Sequence, residues 1–333
     1  MAWRPDYPVT LPDGRLVCGP HGLVICGYCT VDYSFMDEIL AEDDDDDSEA
    51  SDLGSHTDDI DRPRVDYSYM DEVLMEEDDD DSEASDLDDH TDEIDGPPLV
   101  VIGAPTSRGE PRVGTGRVFP TKFKPSNPSN TPQTLFPLRK THNATPPVYR
   151  FIRRNDETQF LIYTDGACLD NGGANPRAGC CFVYRNSTQN PEICGHTSFP
   201  LEKQGPTGIE HPQTSNRAEL RAVIAAMRFR AWTGEGCRCL VIATDSAYVV
   251  EGMTKWVKGW VRNNWKTSAG APVKNKDLWE CLLGEMERWD ERGMRIQFWR
   301  IPREWNTEAD QHAKVAATES ASQEFQDVLG VLV

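Results

Sequence analysis

Residues 160–168, FLIYTDGAC, decide the fold. An apolar, β-prone run ends on Asp165, and a small residue, Gly166, follows it. Residues 241–247, VIATDSA, repeat this arrangement and end on Asp245 and a small residue. If the two strands are parallel neighbours, their carboxylates lie side by side, where mutual repulsion raises one pKa unless a divalent cation lies between them. Carboxylate oxygens without a nearby histidine suit Mg²⁺ or Mn²⁺.

The pattern on either side of these strands predicts one compact α/β domain with a mixed sheet. An amphipathic helix between the two strands is capped by Thr214 or Ser215. The predicted strands cover residues 160–164, 180–184, 193–199, 240–244 and 295–301, and the predicted helices include residues 216–232, 276–292 and 306–320.

Two more carboxylates can join the pair. Glu219 lies in the first turn of the first long helix, within TSNRAEL, and Asp310 lies early in the last helix, within NTEADQHAK. Taken singly, an acid in a first helical turn favours the helix dipole, and an Asp after a strand is a turn residue or a cap. Each acid alone therefore indicates a structural role.

Together the four motifs match a family. The ordered segments TDGAC, TSNRAEL, ATDSAYVV and WNTEADQHAK closely resemble type 1 ribonuclease H, and their wording is most similar to domains of filamentous fungi. The Trp-rich segment 256–279 resembles the basic protrusion of cellular and bacterial members. The resemblance covers residues 160–320 and implies an RNase H-like α/β fold, with a five-stranded mixed sheet and helices on both faces.

The resemblance implies an endonuclease that cleaves the RNA strand of RNA–DNA hybrids and leaves a 3′-hydroxyl and a 5′-phosphate. Two Mg²⁺ or Mn²⁺ ions would act in the reaction. Asp165 would bridge both ions, Glu219 and Asp245 would hold the ion nearer the leaving group, and Asp310 would complete the ion on the water side.

The resemblance also implies residues that grip the hybrid. The backbone of Gly166, Ala167 and Cys168 and the side chains of Ser215 and Asn216 would read the minor groove, with Thr214 near a DNA phosphate. The channel for the DNA strand would be lined by Trp260, Trp265, Lys266 and Ser268.

The protrusion carries six cations within 22 residues: Lys255, Lys258, Arg262, Lys266, Lys274 and Lys276. They predict a local site for phosphates, although lysines and tryptophans can equally form a solvated face and a core. We expect Trp256 and Trp279 in the core and Trp260 and Trp265 partly exposed.

The sequence departs from the family at two places. The link between the last strand and the last helix, IPREWN (301–306), lacks the histidine that many members carry, and the nearest candidate, His312, is expected to be a structural residue of the helix. Pro212 stands where the family has a basic residue, so we expect the grip on the DNA strand either to be weaker or to be supplied by Arg217 or the linker. We expect activity without the loop histidine, with altered rate and metal preference.

The net charge of −22 argues against nucleic-acid binding only until its distribution is considered. Residues 31–95 hold 30 acidic and two basic residues, a net charge of −28, which leaves +6 for the rest of the chain. This block is a tandem repeat, because residues 31–61 recur as residues 65–95. We expect it to be disordered, or to be a duplicated motif that docks a basic partner protein such as a histone.

The remaining segments complete the expected domain order. Residues 1–30 contain Cys18, His21, Cys26 and Cys29, which predict a small zinc clip or are unrelated thiols. Residues 96–155 are expected to be a disordered, basic linker rich in Pro, Ser and Asn. Residues 156–322 form the catalytic domain and residues 323–333 a C-terminal tail.

Three hypotheses about function follow: an active ribonuclease H, a hybrid-binding or interaction protein with little activity, or the same fold acting on another substrate such as single-stranded or branched DNA. No apolar run is long enough to span a membrane, and residues 1–8 do not resemble a signal peptide. We therefore expect an intracellular monomer, nuclear or cytoplasmic.

Overall fold

The computed structural model describes residues 8–12, 15–19, 21–26, 31–33, 111–144, 147–186 and 195–330. The chain divides into two compact units, Met1–Asp47 with Arg108–Val333 and Ser48–Ser107, and every described residue belongs to the first. The predictions for residues 34–110, which include most of the acidic repeats, lie outside the described residues. Within the described ranges, no helix combines the length and apolar character needed to cross a bilayer.

Two short hairpins come first in the chain. β1 (Pro8–Thr10) pairs antiparallel with β2 (Leu16–Cys18), and β3 (Ile25–Cys26) pairs antiparallel with β4 (Val31–Asp32). Cys18 is buried.

The main sheet has eight strands within the described residues. A path of six runs β10-β9-β8-β11-β12-β5, and β7 joins β6 to β8. In chain order the strands are β5 (Thr121–Lys122), β6 (Leu138–Lys140), β7 (Tyr149–Arg153), β8 (Asp156–Leu169), β9 (Arg177–Val183), β10 (His196–Pro200), β11 (Cys239–Thr244) and β12 (Arg295–Arg300).

The predicted relation between the two Asp-bearing strands is confirmed. β8 and β11 are parallel neighbours in a register that pairs Tyr163 with Ala243, and β12 continues the parallel set. β9 and β10 add antiparallel strands on the other side. Both faces of this central part are covered, as the near-continuous burial of β11 shows.

The prediction of a disordered linker is wrong for the described residues from 111 onward. β7 pairs antiparallel with the first half of β8, β6 pairs with β7, and β5 pairs parallel with β12. These pairings extend the expected five strands to eight. Residues 111–155 show no regular apolar periodicity, because their strands contain few residues and lie at the periphery of the sheet. Only a few of their side chains are buried, among them Phe123, Phe136 and Phe151.

Helices cover the sheet as expected. In chain order they are α1 (Pro132–Leu135), α2 (Ser215–Phe229), α3 (Ala247–Glu251), α4 (Val257–Arg262), α5 (Lys276–Asp290) and α6 (Thr307–Ala316), with one π-helical turn, Gly252–Trp256, between α3 and α4. Thr214, one of the two predicted caps, accepts the hydrogen bond from the amide of Arg217 that begins α2.

Helix α2 is almost wholly buried, and its arginines are paired inside the protein. Arg217 forms a bidentate pair with Asp277 of α5 at 2.9 and 2.6 Å. Arg221 pairs with Glu202, and its Nε atom donates a 2.9 Å hydrogen bond to Oε2 of that residue. These pairs hold α2 against its neighbours and satisfy charges that would otherwise be costly to bury.

The expectation of a separate C-terminal tail is also wrong for its described part. Asp327 accepts hydrogen bonds of 2.6 Å from Arg228 of α2, and the carbonyl of Gln326 accepts one of 2.6 Å from Arg221. Phe325 and Val328 pack against the main core. Residues 323–330 therefore belong to the folded domain.

The protrusion is built on a cluster of tryptophans. Trp256 and Trp279 are buried, as expected, and Trp265 is partly exposed, as expected. Trp260 is 5% exposed, so its predicted exposure is wrong. Its ring packs between those of Trp256 and Trp279, at centroid distances of 5.9 and 5.5 Å, which withdraws it from the surface.

Candidate active site

Asp165 and Asp245 follow the same register. Each lies two residues beyond the pair formed by Tyr163 and Ala243, so the parallel strands deliver both carboxylates to one edge of the sheet. Asp165 is 5% exposed and Asp245 is partly exposed. The side chain of Asn306 donates a 2.6 Å hydrogen bond to Oδ1 of Asp245.

Glu219 reaches this edge from α2. Its approach requires Gly166, because a Cβ atom at that position would lie 2.1 Å from the backbone nitrogen of Glu219. The hydroxyl of Ser246, directly after Asp245, donates a hydrogen bond to Oε2 of Glu219. The third carboxylate is thus positioned by residues next to the first two.

Asp310 reaches the site from the first turns of α6. Oδ1 of Asp310 accepts a 2.6 Å hydrogen bond from Arg303, and Oδ2 accepts a 2.8 Å hydrogen bond from Lys314, one turn further along the helix. Arg303 lies in the short link of residues 301–306, which has no histidine.

The electrostatics show that the four carboxylates share one region. Burial raises the pKa of Asp165 well above its ordinary value, and the charges of Asp245, Asp310 and Glu219 raise it further, against the opposing effect of Arg303. Burial works against the charge of Arg303, yet Asp245, Asp165 and Asp310 together raise the pKa of its guanidinium. Arg303 is the counter-ion of this cluster.

This cluster has the chemistry of a divalent-cation site. Its donors are hard carboxylate oxygens, and its negative charge exceeds what Arg303 and Lys314 offset. In addition, Oδ1 of Asn306 is buried without a hydrogen-bond partner among the described residues. The four carboxylates are not in close mutual contact. In the described part of the chain, the only three potential metal-ligand atoms of His, Cys, Asp or Glu that all lie within 4.8 Å of one another belong to His196, Glu308 and His312.

Comparison with known proteins agrees with this geometry. The RNase H family model matches residues 157–318. A ribonuclease H of Treponema pallidum is 40% identical over 128 residues, which are 38% of this chain and 73% of that protein. A ribonuclease H of Actinobacillus pleuropneumoniae is 42% identical over 127 residues, 38% of this chain and 70% of that protein.

The chain belongs to the ribonuclease H family. The predicted family and fold class are thereby confirmed, apart from the number of strands. Members of this family are hydrolases that depend on divalent metal ions, typically Mg²⁺. Among solved structures, the crystal structure of LC9-RNase H1, a type 1 RNase H with the type 2 active-site motif, is 29% identical with a TM-score of 0.33, over 48% of this chain and 72% of that one.

The residues expected to read the minor groove of a ribonuclease H substrate lie beside the carboxylates. Gly166, Ala167 and Cys168 continue β8 beneath α2 and are buried. Ser215 and Asn216 begin α2 and are 0% and 8% exposed, respectively. The side-chain amide of Asn171 donates a 3.2 Å hydrogen bond to the hydroxyl of Ser215.

The phosphate-binding candidates divide into exposed and buried groups. All six cations of the protrusion are exposed, and so is Ser268. Thr214 is half-buried because it caps α2. Arg217 is 2% exposed and engaged with Asp277, so the hypothesis that it replaces the missing basic residue at Pro212 is wrong.

The N-terminal hairpins also reach this ribonuclease H site. Tyr33, which directly follows β4, packs against the main core, and its backbone nitrogen donates a 2.7 Å hydrogen bond to the carbonyl of Val24. Burial raises the pKa of Tyr33, and Arg303, Glu219 and Asp245 all act on its hydroxyl. Tyr33, the third residue of the first acidic repeat, therefore lies near the candidate carboxylates.

The predicted zinc clip is described only in part. Sγ of Cys18 lies 3.7 Å from Nδ1 of His21. Cys29 and the side chain of Cys26 lie outside the described residues.

His312 lies on α6, as expected, and stacks on His196 with a centroid distance of 3.5 Å. Sequence reasoning missed Ser246, Arg303 and Asn306, which orient the carboxylates. Ser246 and Asn306 stand inside the motifs ATDSAYVV and WNTEADQHAK, so the polar residues of these motifs were the available signal. No comparable signal marks Arg303.

Proposed function

We propose that Asp165, Glu219, Asp245 and Asp310 bind two divalent cations, Mg²⁺ or Mn²⁺, with which the protein hydrolyses the RNA strand of RNA–DNA hybrids. The observation that carries this proposal is the buried Asp165, whose carboxylate is surrounded by three further carboxylates and one arginine. Repulsion of this kind is relieved by bound divalent cations.

Each carboxylate has a distinct place in the proposed reaction. Asp165 would be a ligand of both cations, Glu219 and Asp245 would hold the cation nearer the leaving group, and Asp310 would hold the cation nearer the water. When bound, the cations activate the attacking water and stabilise the leaving 3′-oxygen, which gives a 3′-hydroxyl and a 5′-phosphate.

The chain's other residues keep these carboxylates in place. Ser246 orients Glu219 and Asn306 orients Asp245, each through one hydrogen bond. Lys314 and Arg303 orient Asp310 from two sides. Such supporting contacts fix the direction of a ligand's lone pairs and limit the number of wrong geometries.

The hybrid lies across the site and the protrusion in this proposal. The backbone of Gly166, Ala167 and Cys168, with Ser215 and Asn216, reads the minor groove, and Thr214 contacts a DNA phosphate. Trp265, Lys266 and Ser268 line the channel of the DNA strand, because they retain exposure. The buried Trp260 supports that channel from within instead of lining it.

Cleavage of an end-labelled hybrid tests the proposal. The full chain should cleave the RNA strand with Mg²⁺ or Mn²⁺, and Asp165→Asn should lose cleavage while keeping hybrid binding. Glu304→Gln, an exposed acid of the link before α6, is the matched control and should cleave normally. Equal cleavage by Asp165→Asn and the parent, or no cleavage by the parent with either cation, contradicts the proposal.

A second candidate function concerns residues 31–95, whose charge of −28 fits a basic protein partner such as a histone. Deletion of this segment should abolish capture of purified histones in a pull-down and leave hybrid cleavage at saturating substrate intact. Undiminished capture by the deleted chain contradicts it.

Three finer expectations stand as proposals beside this function. Zinc binds at Cys18, His21, Cys26 and Cys29, an idea supported by the contact of Cys18 with His21. Metal analysis of the full chain with Cys26→Ser as the control tests it, and equal zinc content in both chains contradicts it. The protein is also proposed to be a monomer in the nucleus or cytoplasm, which light scattering and cell fractionation test.

A further inference from the structure

We propose that His196, Glu308 and His312 form a second metal site, separate from the catalytic carboxylates, for a first-row transition-metal ion such as Zn²⁺ or Co²⁺. The three side chains each offer one ligand atom, and these atoms all lie within 4.8 Å of one another. The imidazole rings are stacked, with centroids 3.5 Å apart and planes inclined by 19°, so one ring must turn about its χ2 bond for both nitrogens to face one ion.

The fold explains why the three side chains meet. Glu308 and His312 are four residues apart on α6 and therefore share one face of that helix. His196 is the first residue of β10, the last strand of the sheet path on that side, and α6 packs against β10. One strand and one helix thus supply ligands from two directions, as a chelating site requires.

The donor set selects the kind of metal. Two imidazole nitrogens and one carboxylate oxygen suit Zn²⁺, Co²⁺, Ni²⁺ or Fe²⁺, whereas Mg²⁺ prefers oxygen donors alone. Three protein ligands leave coordination positions for water. All three residues are partly exposed, so an ion has access from solvent.

The position of Glu308 distinguishes a metal site from simple ring packing. Packing of the two imidazole rings alone would explain why they stack. It would not require a carboxylate oxygen of Glu308 to lie within 4.8 Å of a ring nitrogen of each histidine.

The second site is distinct from the catalytic one although both use α6. Asp310 lies about 200° around the helix axis from Glu308, and it is engaged with Arg303 and Lys314. An ion held by His196, Glu308 and His312 would cross-link β10 to the helix that carries Asp310. The expected effect is stabilisation of the folded chain by the metal.

Cobalt spectroscopy of the full chain tests the site. The background is Asp165→Asn with Cys26→Ser in saturating Mg²⁺, so that neither the carboxylates nor the proposed N-terminal zinc clip contributes. Co²⁺ should give saturable d–d bands without sulfur charge-transfer bands, which separates this site from the N-terminal cysteines. His196→Asn and Glu308→Gln should each weaken the binding at least about tenfold.

His142→Asn, an exposed histidine outside the cluster, is the matched control and should titrate like the background chain. Zn²⁺ should raise the melting temperature of the background chain and not that of Glu308→Gln, a variant that keeps both imidazoles. Unchanged cobalt titrations in both variants, or no saturable bands in the background chain, overturn the proposal.

Discussion

Asn306 and Asp245 are joined by a 2.6 Å hydrogen bond from the amide nitrogen to Oδ1. The same nitrogen donates to the carbonyl of Thr164 across 3.0 Å. Asn306 therefore ties β8, where its parallel pairing with β11 stops, and Asp245, which follows β11, to the start of α6, which carries Asp310. One buried side chain positions carboxylates from three elements of the fold.

Replacing Asn306 should slow the enzyme more than it destabilises it. We expect Asn306→Ala to lower kcat/KM about 10- to 100-fold, the usual cost of losing a residue that orients a metal ligand. The carbonyl of Thr164 also loses its donor, so the free energy of unfolding should fall by about 1–3 kcal/mol. Hybrid cleavage and urea unfolding measure the two effects. Thr307→Ala, an exposed neighbour, serves as control, and parental kcat/KM in Asn306→Ala would refute the assignment.

Arg303 should compete with metal ions for the carboxylates. Without divalent cations, Arg303→Ala leaves Asp310 and Asp165 less compensated, and we expect a loss of about 1–3 kcal/mol in the free energy of unfolding. Added Mg²⁺ should then raise the melting temperature more in the variant than in the parent, because the cation replaces the missing charge. Arg300→Ala, an exposed arginine at the end of β12, is the control for a generic loss of charge. An equal Mg²⁺-induced rise in all three proteins contradicts this role.

Glu287 should make stability depend on acidity. Its Oε1 atom accepts hydrogen bonds from the amide and hydroxyl of Thr115 at 2.8 and 2.7 Å and from the amide of Arg117 at 3.2 Å. Burial opposes the charged form, but these bonds and Arg112 lower the pKa of Glu287 below its ordinary value. Its contribution to stability is therefore present above the ordinary carboxyl pKa and is lost as the pH falls through the lowered value.

The corresponding variant is Glu287→Gln. We expect it to lose about 1–3 kcal/mol of unfolding free energy near neutral pH and to approach the parent on acidification. Glu291→Gln removes an exposed partner of Arg112 and Arg117 and should change stability little. Urea titrations across the acidic range measure all three chains, and a constant difference between Glu287→Gln and the parent would argue against the linkage.

Tyr33 should hinder access of the substrate. The tyrosine lies beside Arg303, Glu219 and Asp245, where the scissile RNA strand must enter in the proposed reaction. We expect Tyr33→Ala to bind hybrid more tightly at low salt and to lower KM with little change in kcat. Tyr67→Ala changes the equivalent position of the second repeat and is the matched control. If both variants alter KM equally, or neither does, the placement of Tyr33 has no bearing on substrate entry.

The central part of the fold could be predicted because its signals are local. The strands that end on Asp165 and Asp245 combine an apolar run with a small residue, and the helix predicted over residues 276–292 is observed as Lys276–Asp290. Their parallel pairing was only a condition for bringing the two carboxylates together, and the structure meets that condition. The peripheral strands could not be predicted, because they are short and because β5 acquires its order by pairing with β12, which lies far away in sequence.

The residues of the candidate site also divide into those that a local motif marks and those that it does not. The four carboxylates stand in recognisable motifs, whereas the role of Arg303 depends on how the link IPREWN folds back toward Asp310. Trp260 was misjudged for a related reason: a stripe of tryptophans indicates an apolar face but not which ring its neighbours will enclose. Sequence patterns report local periodicity, and mutual burial is a property of the assembled structure.

The inward-facing arginines of α2 separate two uses of positive charge. Three arginines of α2 are each at most 2% exposed: Arg217, Arg221 and Arg228. They form ion pairs with Asp277, Glu202, Glu285 and Asp327. In the proposed function, the nucleic acid contacts the exposed lysines of the protrusion instead. The affinity of such lysines for phosphates falls steeply as the salt concentration rises. A higher salt concentration should therefore release the hybrid without unfolding the protein, because the buried ion pairs of α2 are poorly screened by salt.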